Sequence, residues 1–206
     1  IIFCGAQITI TLIVAPLGVV AIAANAFAVT AESLCYMPGF GIGEAATTLC
    51  GQSYGAGRPA LVRRFCYLSV FLGMAVMTVM AAIMYICAPF MMEIMTPVAA
   101  IAQAGTEVLR IEAFAEPMYA ASIVAYGAFV GVGDTLVPAV MNFGSIWLVR
   151  IPLAAILAPT LGLQGVWIAM AAELTFRGII FLVRMRGRRW LRPGRTPSDP
   201  ESLPEV

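Results

Sequence analysis

The chain has 206 residues, of which 61% are hydrophobic and only 11% charged, with a formal net charge of +1 and no histidine. A soluble domain carries roughly 25% charged residues, so this composition excludes a fold that coats itself in water-facing groups. The near-neutral charge points to no nucleic-acid partner, and the lack of histidine removes the commonest metal ligand and general base.

A bilayer-spanning helix needs about 20 apolar residues. The apolar runs predict an all-α polytopic membrane protein: a six-transmembrane-helix bundle over residues 1–186, with helices at about 1–17, 19–48, 61–90, 105–132, 135–158 and 161–184, then a polar tail over 187–206. Residues 1–31 hold no charge, and Pro16 and Gly18 divide them into two segments. The chain opens on Ile1-Ile2-Phe3 with no basic run before it, which predicts a piece of a longer protein. Its five cysteines (Cys4, Cys35, Cys50, Cys66 and Cys87) show no ligand spacing and are expected to pack as small hydrophobes. No metal and no cofactor are predicted.

In the second helix Asn25, Glu32 and Tyr36 are spaced to share one face, a polar stripe in an apolar helix. Ionisable groups inside a membrane are costly and are functional-site candidates by default. A carboxylate at Glu32 is tolerable only when protonated or joined by a cation, which is the physics of a proton- or cation-coupled site; the plain alternative is a neutral glutamate bonded to a neighbouring helix. Connections are expected at 49–60 and 91–104. Glycines paired at four-residue spacing, Gly39/Gly43 and Gly127/Gly131, predict close helix packing.

The fourth helix carries Glu112 and Glu116, and Pro117 follows at once. Proline removes an amide donor and clashes with the carbonyl four residues back, so a kink is predicted beside Glu116, with Tyr119 on the same face. Free carbonyls next to a carboxylate are how interrupted transporter helices hold Na⁺ or H⁺. Glu112 is expected nearer the outer surface. Asp134 reads as a helix N-cap. The GxGD spelling of residues 131–134 also fits an intramembrane aspartyl protease, but that chemistry needs two aspartates and the only other one, Asp199, lies in the tail, so no enzyme is predicted. Arg150, in the fifth helix, is expected to pair with an acid or cap carbonyls freed by Pro152. Glu173 and Arg177, at i and i+4 in the last helix, are expected to neutralise each other. Arginine bias places the 49–64 connection and the tail on the cytoplasmic side of a cell (inner) membrane.

Three stretches resemble a known family. Gly51-Gln52-Ser53-Tyr54-Gly55-Ala56-Gly57-Arg58 is similar to the GQ-x-x-GAG segment of MATE (multidrug and toxic compound extrusion) transporters. Gly131-Val132-Gly133-Asp134-Thr135 with Trp147-Leu148-Val149-Arg150-Ile151-Pro152, and Leu163-Gln164-Gly165-Val166-Trp167, resemble stretches of the family's C-terminal half. The resemblance implies one lobe, helices seven to twelve, of a two-lobe transporter that exports cationic amphiphilic drugs in exchange for Na⁺ or H⁺. The partners it implies are a small cationic substrate, the bilayer and a missing N-terminal lobe. One branch of the family places acids in the first and fourth helices of this lobe. Here the first helix has none, Glu116 lies one turn from the usual position, now Tyr119, and Glu32 is the replacement coupling carboxylate. The alternatives are a lipid-linked oligosaccharide flippase of the same superfamily and a non-transporting membrane scaffold.

Overall fold

A computed structural model describes residues 2–187, 190 and 191, with side chains from residue 8 onward. The described residues are helical almost throughout. The helices are α1 (Ile2–Val14), α2 (Val19–Gly55), α3 (Pro59–Met95), α4 (Ala99–Ala113), α5 (Glu116–Gly131), α6 (Leu136–Ser145) and α7 (Ile151–Arg186). A 3₁₀ turn, Ala15–Leu17, ends α1 where Pro16 and Gly18 interrupt the apolar run. A π-helical turn, Ile146–Arg150, joins α6 to α7; the amide of Ile151 donates to the carbonyl of Ile146, and Pro152, which has no amide to offer, follows.

By length and composition α2, α3 and the stretch Leu136–Arg186 can each cross a membrane, and α4 with α5 makes a fourth span if the pair, bent by 59°, counts as one. The fifth and sixth expected helices form that single 51-residue stretch, turned at Gly162. With φ +60 and ψ −138, Gly162 adopts a conformation that side chains resist. The chain doubles back there, so that Gly165 meets the carbonyl of Leu157. The connections expected at 49–60 and 91–104 are shorter than predicted. The helices run through Gly55 and Met95, leaving 56–58 and 96–98. Hydropathy marks the part of a helix that meets hydrocarbon, not where its hydrogen bonds stop. At 37 residues each, α2 and α3 are about 55 Å long, well beyond a hydrocarbon core of about 30 Å.

Two apolar clusters fill the bundle. One gathers Ala28 and Cys35 of α2, Met84 and Met92 of α3, Leu109 of α4 and Trp167 of α7. The other gathers Cys50 of α2, Val70 of α3, Phe129 of α5 and Phe181 of α7. Outward-facing side chains are also apolar: Leu34, Phe71, Ile86, Leu148 and Ile156 are exposed. Cys35, Cys50, Cys66 and Cys87 are free thiols; the side chain of Cys4 lies outside the described residues. So does most of the expected tail, including Arg188, Arg189, Arg192, Arg195 and Asp199. Trp190, expected in solvent, is buried edge-on against Phe129, and its indole donates to the carbonyl of Met185.

Helices α2 and α5 approach closely, backbone to backbone. A Cβ at Gly127 would strike the carbonyl of Gly43, and one at Gly131 that of Thr47. The Thr47 hydroxyl donates to the carbonyls of Gly43 and Gly127, each at 3.0 Å. Gly51 lies against Gly131, where a Cβ would stand 3.0 Å from its carbonyl, so two of the glycine motifs pack on each other. Gly57 and Gly133 take positive φ at their turns, while Gln52 and Gly55 are exposed. Gly39 instead faces Met77 of α3. Gly127→Ala is expected to destabilise the bundle by about 1–3 kcal/mol through overpacking. Gly41→Ala, whose Cβ meets nothing within 4 Å, is expected to be neutral or stabilising by up to about 1 kcal/mol. Denaturant unfolding in micelles measures both.

Candidate functional site: a polar layer between two apolar clusters

On α4, α5 and α7 the buried acids fall where one apolar cluster gives way to the other, while Glu32 of α2 sits near the end of the first cluster, between Ala31 and Cys35. On α4 and α5, Glu112 and Glu116 lie between Leu109 and Ala121; on α7, Glu173 and Arg177 lie between Ala169 and Phe181. Glu32 is 6% exposed, and Glu112, Glu116 and Glu173 are 0% exposed, so none of them meets lipid. The α4–α5 bend falls at Phe114 and Ala115, as the backbone clash of Pro117 with residue 113 requires.

Glu173 is the anchored member. It lies 3.3 Å from Nε of Arg177 and 3.6 Å from Nε of Arg150, and the Ser145 hydroxyl donates to it at 2.6 Å. The expected i, i+4 pair is therefore present, but as part of a group of one acid and two arginines. The Arg177 guanidinium also stands over the ring of Tyr119, 5.4 Å from its centroid, and Tyr36 meets Tyr119 edge to face. Tyr36, Tyr119, Arg177, Glu173 and Arg150 thus form one connected chain from α2 to α7.

Glu112 and Glu116 differ. Both oxygens of each are buried and none has a hydrogen-bond partner. Glu112 is within electrostatic reach of Glu32, Arg150, Glu116 and Glu173, so the acids share one layer. The helix start is corrected: α4 begins at Ala99, about six residues before the predicted start, so Glu112 lies roughly 9 Å farther from the beginning of its helix than expected.

Two other predicted residues have structural partners. Asn25 accepts a hydrogen bond from the indole of Trp167 at 3.0 Å, tying α2 to α7. Asp134 is not a helix cap. Its amide donates to the carbonyl of Phe129 in the turn made by Gly133, Thr135 takes the capping position, and the Asp134 carboxylate pairs with Arg184. Ser145, Trp167 and Arg184 were not among the predicted residues. Arg184 lies fifty residues from its partner, and no local spacing announces such a pair.

Beside this layer a cavity of about 340 Å³ opens between α2, α5, α6 and α7, lined by Phe40, Glu44, Tyr119, Tyr126, Asn142 and Arg177 among others. Among the described residues no three His, Cys, Asp or Glu converge closely enough to hold a metal ion.

The MatE family model matches residues 1–156. A probable multidrug resistance protein NorM from Thermotoga maritima is 30% identical over 175 residues, 84% of this chain and 38% of that protein. The corresponding protein of Xanthomonas campestris pv. campestris is 30% identical over 196 residues, 94% of this chain and 43% of that protein. The chain spans about two-fifths of the length of these curated relatives. Among solved structures, the MATE transporter ClbM in complex with Rb⁺ superposes with a TM-score of 0.85 at 21% identity, covering 92% of this chain and 44% of that one. An outward-facing multidrug resistance MATE family transporter of the MOP superfamily gives 0.84 at 19% identity, covering 93% of this chain and 43% of that one.

Removing one partner of a buried ion pair costs about 3–5 kcal/mol. Glu173→Gln, which strands both arginines, is expected to lose that much. Arg150→Gln is expected to lose clearly less, because Arg177 still neutralises Glu173. Unfolding midpoints of the two variants in micelles provide the comparison.

Proposed function

The chain belongs to the MatE family, and from that premise we propose that it forms one six-helix lobe, the C-terminal one, of a membrane antiporter that exports cationic amphiphilic compounds in exchange for Na⁺ or H⁺. The observation that carries the reading is the buried polar layer, in which four carboxyl groups share two guanidinium groups. Glu173 occupies both arginines. Glu32 and Glu116 are then the carboxyl groups that exchange load. Each is tolerable in a water-poor interior only with a proton or a cation on it. Binding of the driving ion releases an exported cation, and its departure reloads the site.

The cavity beside the layer suits the cargo. Aromatic walls (Phe40, Tyr119, Tyr126) favour a flat, apolar body, and Glu44 adds an acid for its positive charge. The flippase alternative is weaker, since a pyrophosphate-linked lipid needs free basic groups and both deep arginines are held by Glu173. The surplus of buried acid is equally hard to reconcile with an inert scaffold. The arginines of residues 49–64 and of the last helix support an orientation with that side cytoplasmic.

The test is efflux from vesicles holding the full-length transporter, with ethidium as cargo and an imposed Na⁺ or proton gradient. Wild type is expected to export in proportion to one gradient. Glu32→Gln and Glu116→Gln are each expected to weaken the coupling by about tenfold or more. Export and ion dependence left intact in both variants would remove the proposal.

A further inference from the structure

Eight arginines lie among the described residues, and four of them are engaged. Arg150 and Arg177 pair with Glu173, Arg184 pairs with Asp134, and Arg110 stands over the ring of Tyr85. Arg58, Arg63, Arg64 and Arg186 enter no ion pair among the described residues. Three of these four open α3. Arg58 immediately precedes Pro59, and Arg63 and Arg64 fall in the second turn of the helix. Arg58 and Arg64 are exposed and Arg63 is half-buried. No acid lies between Glu44 and Glu93, so this stretch of chain offers the three charges no partner of its own.

From these arginines a largely apolar strip runs along the outer face of α3. Tyr67, Leu68, Phe71, Leu72 and Val79 are all exposed. Tyr67 follows Arg63 by four residues and Arg64 by three, and Leu68 follows Arg64 by four, so base and strip share one side of the helix. The other side is packed: Val62, Cys66 and Val70 belong to the second buried cluster, and Gly73 and Met77 are buried behind the strip. Leu68 to Val79 covers about 16 Å of helix axis, against about 15 Å for half of a hydrocarbon core.

These proportions are those of a phospholipid. Arginine forks two N–H donors onto phosphate oxygens. A tyrosine one turn further on has the amphipathic ring that settles at headgroup depth. The strip beyond it is as long as one acyl chain is deep. An acidic protein would satisfy the arginines but could not follow a strip that runs into hydrocarbon; a lipid covers both. Arg186 has no second unpaired arginine on its helix among the described residues, so α7 lacks the paired bases.

We infer that the outer face of α3 seats one anionic phospholipid. Arg63 and Arg64 hold its phosphate, Arg58 adds charge at the preceding turn, and an acyl chain lies along Leu68, Phe71 and Val79. The seat rests on the helices lying in a membrane and not on antiport.

The test places an indole at the strip by Phe71→Trp in the full-length transporter, in phosphatidylcholine vesicles. Its added fluorescence is quenched by lipids with brominated chains. Each arginine near an anionic headgroup favours association by about fivefold, so brominated phosphatidylglycerol is expected to compete for the strip about fivefold or more better than brominated phosphatidylcholine. Arg63→Gln with Arg64→Gln is expected to bring that preference to about twofold or less. Arg110→Gln, a charge lost from the other half of the bundle, is expected to leave it unchanged. Equal quenching by the two lipids overturns the seat. So does a preference that Arg110→Gln lowers as much as the paired change, which is general attraction to the surface. A preference abolished by inorganic phosphate but not by chloride of equal ionic strength assigns the arginines to a free anion and overturns it too. Mass spectrometry of the transporter without the added indole supplies a second readout: the paired arginine variant is expected to retain one phosphatidylglycerol fewer than wild type, and equal retention overturns the seat. Neither readout needs transport, so both stand whether or not the antiport reading does.

Discussion

Charge that cannot reach water governs this helical bundle. Two arginines and four glutamates occupy one layer of the bundle, closed above and below by apolar clusters. An ion in such a place is stable only with a close partner, and several kcal/mol separate a paired charge from an orphaned one. Glu173 takes the partners available. Among the described residues the other three acids form no ion pair, and Glu112 and Glu116 have no hydrogen-bond partner either. A bundle designed for stability alone would fill the layer with apolar side chains.

The helices hold this layer by backbone proximity more than by side-chain bulk. Gly127 and Gly131 admit α2 to van der Waals contact with α5, and the Thr47 hydroxyl bridges the two. Interior positions are dominated by alanine, glycine and serine, the small residues through which helices associate in lipid. That packing continues from the glycine motif at Gly51 to the turn at Gly133, and from there the pair of Asp134 and Arg184 ties the turn to the last helix. The bend at Phe114 and Ala115 is flanked by two acids that lack hydrogen-bond partners.

Features governed by local chemistry were legible in the residues. The bend at Pro117 follows from a missing amide, and the breaks at Gly18 and Gly162 from backbone strain. The burial of Glu32 followed from one acid in a long apolar run. The pair of Glu173 and Arg177 followed from helical spacing. Features that depend on depth or on distant partners were not legible. The start of the helix that carries Glu112 was placed about six residues late, because residues 99–104, mostly alanine and close behind Pro97, give only a weak hydropathy signal. Asp134 looked like a cap because its partner, Arg184, is far along the chain. Ser145 carried no signal at all: a serine in an apolar helix ordinarily bonds its own backbone, as this one also does to Asn142, and only the fold brings Glu173 to it.

The central claim is that positive cargo and protons compete for carboxyl groups in this layer. Its most direct test is the pH change when tetraphenylphosphonium binds to the purified full-length transporter in weakly buffered micelles. The account predicts that binding acidifies the solution and that Glu32→Gln combined with Glu116→Gln suppresses the release. Saturable binding of the cation with no proton released would contradict it.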